Sequence, residues 1–312
     1  MSGHSKPWWR GVVTISLCLA ISVGLVALAP RSARATPPYD GTVFLDPDII
    51  TSADRTVYSG ETYIGQGMRT IYDRRVDDWV TVNCYLFNTT FTSGRPSIEV
   101  DVNPEFSSAG AETQAVKYAT EIGRLPNVLR TDVQQVWINK GDYAYGGGND
   151  SILIHTGITP SYENTWGCVD EALFHEGTHT SLDAITYGSA WTAAANADGE
   201  FISTYARDNP TSEDVSESFL AYYAVRYHPD RISKSMRNTI LVTIPNRIAY
   251  FDSQNYDMFP TVPEPGTLSM LAAGVIGLFG LSLARKGRES ERGRSGSVST
   301  LRNDIGRASR HG

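Results

Sequence analysis

Two histidines, His175 and His179, stand four residues apart in "ALFHEGTHTSLD" (172–183), and Glu176 directly follows the first. On an α-helix, residues four apart lie one above the other on the same face, so the two imidazoles can meet at one point. Zinc accepts neutral imidazole nitrogen, and a glutamate beside the first histidine can reach a water held there and act as general base. A catalytic zinc needs a third protein ligand and an open fourth position. The five-residue pattern arises by chance about once in a hundred chains of this length, so its surroundings must carry the rest. Against it stands a solvated helix face that happens to carry two histidines.

A second pair lies downstream in "STYARDNPTSEDVSESFLAYYAV", where Glu213 and Glu217 are again four apart. Pro210, Thr211 and Ser212 form a helix-start signal, and the stripe that begins with the two glutamates continues through Leu220, Ala221 and Ala224. Carboxylates on a face that turns apolar are expected to be buried against another helix, where they need a metal or an imidazole N–H as partner. The alternative is two acids that stabilise a helix N-terminus.

This combination resembles the gluzincin metallopeptidases, particularly those similar to anthrax lethal factor, through H-E-x-x-H and a later helix of the form E-x-x-x-E-x-F. The resemblance covers the middle 130 residues or so. It implies a zincin fold with one Zn2+ held by His175, His179 and Glu213, and Glu176 as general base. It also implies Glu217 and Asp183 in supporting roles behind the ligands, and Tyr205 as the tyrosine that assists the transition state. The spacing to Tyr205 differs by one residue from the family pattern. Asp214 is expected to point elsewhere.

The elements that must position these residues change character along the chain. Residues 36 to 96 read as a β-rich segment: "RTVYSGETYIGQGMRTIYDRR" and "WVTVNCYLFNTTF" are rich in β-branched and aromatic residues. From 97 to 259 the resemblance implies the zincin-like domain, and the order of elements read along the chain agrees with it. Ile98, Val100 and Val102 alternate as a strand, and "AGAETQAVKYATEIGRL" has helical spacing and stops before Pro126. "DVQQVWINKG" and "SILIHTG" follow as strands, with "GGGND" as a turn. Helices are expected at 169–185, about 190–205, 211–227 and after Pro229. The class is α+β. "SILIHTG" is the candidate edge strand for pairing with an extended peptide. His155 is expected to be structural, His228 a helix-end cap, and Trp191 and the "GGG" packing and turn residues.

The two ends read as targeting segments. Lys6 and Arg10, the apolar run from Val12, and Ala33-Arg34-Ala35 describe a signal peptide over 1–35, with an uncleaved anchor as the alternative. Pro263, Glu264 and Pro265, the apolar stretch Leu268–Ala284 and the basic cluster Arg285, Lys286 and Arg288 resemble the PEP-CTERM sorting signal (260–288). That resemblance implies an exosortase-type sorting enzyme as partner. The chain would be exported across the inner membrane to the cell surface or beyond, or retained in the periplasm by a transmembrane C-terminal helix. A basic tail, 289–312, follows where the signal usually stops. Between the ends, acidic residues outnumber basic ones by about two to one, which excludes a nucleic-acid partner. Cys84 and Cys168 could pair in an oxidising compartment or stay as two buried thiols.

The function expected from these residues is an exported zinc metallopeptidase acting on peptides or proteins through a zinc-activated water. The rival is a non-catalytic surface or matrix protein whose zinc site is structural or vestigial, with Glu217 or Asp183 closing it as fourth ligand.

Overall fold

Among the described residues one sheet carries the architecture, and every strand except the three-glycine strand Gly146–Gly148 forms where the sequence alternates or turns β-branched. The structure is a computed structural model and describes residues 36–43 and 48–261. The signal-peptide segment and the stretch Leu268–Ala284 lie outside the described residues. Among those described, no helix is long and apolar enough to cross a membrane.

β1 (Tyr58–Asp73) and β2 (Asp78–Phe91) make a long antiparallel hairpin, and β3 (Ser97–Val102) adds antiparallel to β2. The chain then crosses over through α1 (Ser108–Ile122) and α2 (Asn127–Arg130) to β4 (Gln135–Asn139), parallel to β3. A short hairpin follows, β5 (Gly146–Gly148) and β6 (Ser151–His155), with β6 parallel to β4. The order across the sheet is β1-β2-β3-β4-β6-β5. The chain continues as α3 (Thr159–Ser161), a π-helical turn, α4 (Val169–Leu182), a 3-10 turn (Asp183–Tyr187), α5 (Ser189–Asp198), α6 (Thr204–Asp208), α7 (Asp214–Tyr227), α8 (Lys234–Thr243) and α9 (Pro245–Ser253). The expected α+β class holds, and the β-rich segment shares its sheet with the strands that follow it.

The alternation expected at Ile98, Val100 and Val102 is observed: all three enter the main core under the helices, with Ile138, Ile152 and Ile154. The opposite face holds a smaller cluster of Ile71, Cys84, Leu86, Trp137 and Leu153. The possible Cys84–Cys168 disulfide is not formed. Both thiols are free and buried, and they sit in different clusters, Cys168 in the main core. Burial pushes each thiol up to about 12.

Three expectations about the elements are corrected. "SILIHTG" is not the edge: β6 lies between β4 and β5, so the glycine run read as a turn is itself the edge strand. The turn proper is Asn149-Asp150, both at positive φ (50° and 57°), as a two-residue hairpin requires. The helix expected over 190–205 ends at Asp198, because Gly199 adopts a left-handed C-cap (φ 69°). The helix expected from 211 starts at Asp214, leaving Glu213 as its N-cap residue.

Candidate metal centre

α4 brings His175 and His179 together although its sequence is poor in helix formers. Thr178 and Thr180 turn their hydroxyls back onto the carbonyls of Phe174 (2.8 Å) and Glu176 (3.0 Å). Gly177 lets α2 approach closely: a Cβ there would meet Leu129 O at 3.2 Å. Phe174 stacks on Phe219 (centroids 5.5 Å apart) and meets Tyr223 at 4.8 Å, which locks α4 against α7. Packing against α2 and α7 therefore holds this helix where propensity does not.

Glu213 reaches the histidines from the start of α7. Buried Asp214, next in sequence, points away and pairs with buried Arg247 (3.0 Å), which also binds Asp198 at 3.0 Å. That cluster pins the beginning of α7 and with it Glu213. Asp214 is thus off the site, as expected.

The three expected ligands converge. His175 Nε2 and His179 Nε2 are 3.0 Å apart, and Glu213 Oε2 lies 3.2 Å and 3.1 Å from them. Tetrahedral zinc with bonds of about 2.0–2.1 Å spaces its ligand atoms about 3.3 Å apart, so this triangle has the size of one face of such a site. Among the described residues these three form the one His/Cys/Asp/Glu group so arranged. The residues fit the metal.

Electrostatics agree with that fit. Burial alone would lower the His179 pKa, but the Asp183 and Glu213 carboxylates bonded to the ring raise it to about 10. Burial would raise the Glu213 pKa, yet its hydrogen bonds to His175 and His179 hold it well below the usual carboxylate range. The Asp183 and Glu213 carboxylates thus favour positive charge on the imidazole they face.

Behind the ligands stand the groups that orient them. His179 Nδ1 donates to Asp183 (3.0 Å) and lies 3.2 Å from Ser216 Oγ, which leaves Nε2 free to face the centre. His175 Nδ1 lies 3.6 Å from Oε1 of the fully buried Glu217. Glu217 accepts from the Val43 N–H (2.6 Å), the Ser203 hydroxyl (2.7 Å) and the Thr42 hydroxyl. These last three residues were missed in the sequence, where no local signal ties residues 42–43 to residue 217. The strip Tyr39–Val43 reaches Glu217 by running beside the loop before α6, with Thr204 N donating to Tyr39 O (2.9 Å).

Glu217 and Asp183 both face the outer nitrogens of the histidines, so neither closes the site as a fourth ligand. The open side is a cleft of about 550 Å³ into which Glu176, Tyr205 and Arg74 also project. Burial pushes the Glu176 carboxyl up, against the lowering pull of the two imidazoles. Tyr205 is raised to about 12 by burial, then by the Glu213 charge and a hydrogen bond to it, so its hydroxyl keeps its proton at neutral pH.

Among the described residues the other two histidines, His155 and His228, pack as structural residues. His155 Nδ1 bonds to Lys140 O (2.9 Å), and buried His228 caps α7 with Nε2 3.0 Å from Tyr223 OH. Trp191 is buried against Phe251.

The edge strand touches the site directly. A Cβ on Gly147 would meet Glu176 O at 2.0 Å, so only glycine lets β5 lie against α4. Thr180 Oγ1 accepts from the Gly148 N–H (2.9 Å) and donates to Ser151 O (2.8 Å), bridging the two strands at the turn.

Among known proteins, the family model of the PEP-CTERM protein-sorting motif matches residues 261–286. No curated protein and no solved structure matches the chain. The motif marks an exported protein sorted to the cell envelope or surface, and it implies an exosortase-type sorting enzyme as partner.

Proposed function

We propose that the protein is an exported zinc metallopeptidase. The observation that carries this reading is the open triangle of His175 Nε2, His179 Nε2 and Glu213 Oε2 beside a glutamate that no ligand role requires, Glu176. Bound zinc supplies Lewis-acid chemistry: it acidifies water and polarises a carbonyl. Glu176, made more basic by burial, takes the proton of the attacking water and returns it to the leaving amine. Tyr205, protonated and in the same cleft, donates a hydrogen bond to the developing oxyanion.

Peptide binding falls to β5, not to β6. The Gly148 N–H and the Ser151 carbonyl both meet Thr180 Oγ1, so those groups point at one another across the hairpin. In an antiparallel ladder such pairs alternate with pairs whose polar groups point outward. Gly147, opposite Ile152, is of the second kind, and its N–H and C=O face the open edge. An extended peptide that pairs there adds a seventh strand beside Glu176.

The test is hydrolysis of an unstructured protein such as casein by the purified, zinc-loaded chain. Cleavage is expected, abolished by a chelator and restored by zinc. Cleavage that persists after the chelator has removed the metal would contradict the proposal.

A further inference from the structure

The sheet edge at β5 has a cavity on each face. One is the cleft around His175 and Glu176. The other, about 230 Å³, lies on the opposite face of the sheet, between Trp79, Trp137, Tyr72 and Leu153. Arg74 and Gly147 line both, so the two adjoin at the edge strand.

The second hollow is aromatic by construction. Trp137 is buried and Trp79, from the start of β2, crosses it edge to face at 5.3 Å, with Tyr72 edge-on to Trp79 at 5.7 Å. The Trp137 indole N–H is already satisfied by Gln135 Oε1 (3.1 Å). Trp79 is left 46 % exposed, an apolar surface that gains from being covered. Pockets for whole small molecules run to about 300–1,000 Å³. This hollow is smaller, and its size suits one large side chain.

Strand geometry says whose side chain. A Cβ on Gly147 points to the helix face, toward Glu176, so Gly146 and Gly148 present the opposite face. A peptide strand paired along β5 follows the same alternation. Its residue opposite Gly147 faces the catalytic cleft, and the residues on either side of it face the aromatic hollow.

We propose that the Trp79–Trp137–Tyr72 hollow is a specificity subsite that takes an aromatic or large aliphatic side chain of the peptide substrate, adjacent to the residue paired with Gly147. It deepens the peptidase reading and rests on it for the word substrate. The hollow's lining contains no carboxylate, and its one charged group is the Arg74 guanidinium, which is held at the junction by Tyr145 O (2.9 Å). Basic side chains are therefore rejected there. Substrates would be extended segments with a Phe, Tyr, Trp or Leu at one fixed offset from the cut bond.

The experiment uses fluorescent decapeptides of otherwise constant sequence, carrying Phe, Leu, Ala or Lys at one scanned position. Binding to the zinc-loaded Glu176→Gln protein is read by anisotropy, and cleavage by the unsubstituted protein is mapped by mass spectrometry. Phe at one position is expected to tighten binding on the order of tenfold over Ala, with Lys weakest. Adding Trp79→Ala should erase that difference at unchanged zinc content, and Trp79→Phe should restore most of it. Equal binding of the Phe and Ala peptides, no binding of any, or a Phe preference that survives Trp79→Ala overturns the subsite. A Phe preference that depends on Trp79, with no cleavage by the unsubstituted protein, keeps the groove as a peptide-binding site and overturns the peptidase reading instead.

Discussion

Glu176→Gln is expected to keep about one zinc per chain and to lose roughly 10²–10⁴-fold in turnover, the range that a positioned general base contributes. The separation of the two effects is the informative part. Glu176 lies in the cleft but outside the His175–His179–Glu213 triangle, so the amide leaves the ligand set and its geometry in place. What the amide cannot do is accept a proton. Burial pushes the Glu176 carboxyl up against the lowering pull of the two imidazoles, the direction that favours proton uptake. Elemental analysis and peptide hydrolysis on the same sample read the two quantities. Loss of zinc in this variant would make Glu176 a ligand and end its assignment as base. Unchanged turnover would end it equally.

Gly147→Ala is expected to lower the unfolding temperature by several degrees and to remove most of the activity. The added methyl would sit 2.0 Å from Glu176 O, against backbone that no rotamer change can move. Either β5 peels from β6 or α4 shifts at Glu176, the residue proposed as base. Overpacking of this kind costs about 1–3 kcal/mol, and for a domain of this size each kcal/mol lowers the midpoint by roughly 2–4 °C. The larger effect falls on activity, since an ångström of misplacement at a reacting group costs on the order of 10²-fold. Thermal unfolding and hydrolysis rates of the variant check both. A variant with native midpoint and native rate would show that the edge strand does not touch α4.

The site was more legible in the sequence than the sheet that frames it. His175 and His179 could be paired because helical spacing is local: four residues fix a common face whatever the rest of the chain does, whereas Glu213 was named as their partner only through the resemblance to the gluzincins. Asp183, four residues beyond His179, was likewise named through the resemblance, and the structure places it on His179 Nδ1. The resemblance gave Glu217 a supporting role but neither its neighbour His175 nor its partners, because Thr42, Val43 and Ser203 reach it from distant parts of the chain. The edge strand was misassigned on composition. Three glycines carry no strand propensity, and what makes them a strand is pairing with β6 and the close approach of α4, both tertiary. Strong β character in "SILIH" marked the strand correctly and said nothing of its neighbours, since lateral order depends on the crossover through α1 and α2. The two cysteines illustrate the same limit. Their count allowed a bridge, and the sheet between their clusters prevents it.

The most direct test of the account is the zinc content of the purified protein, prepared without chelators and resupplied with metal, beside His175→Ala and Glu213→Ala. The account predicts about one zinc per chain in the unsubstituted protein, and depletion in both variants, because each removes one corner of the ligand triangle. A folded, unsubstituted protein that binds no zinc would contradict it.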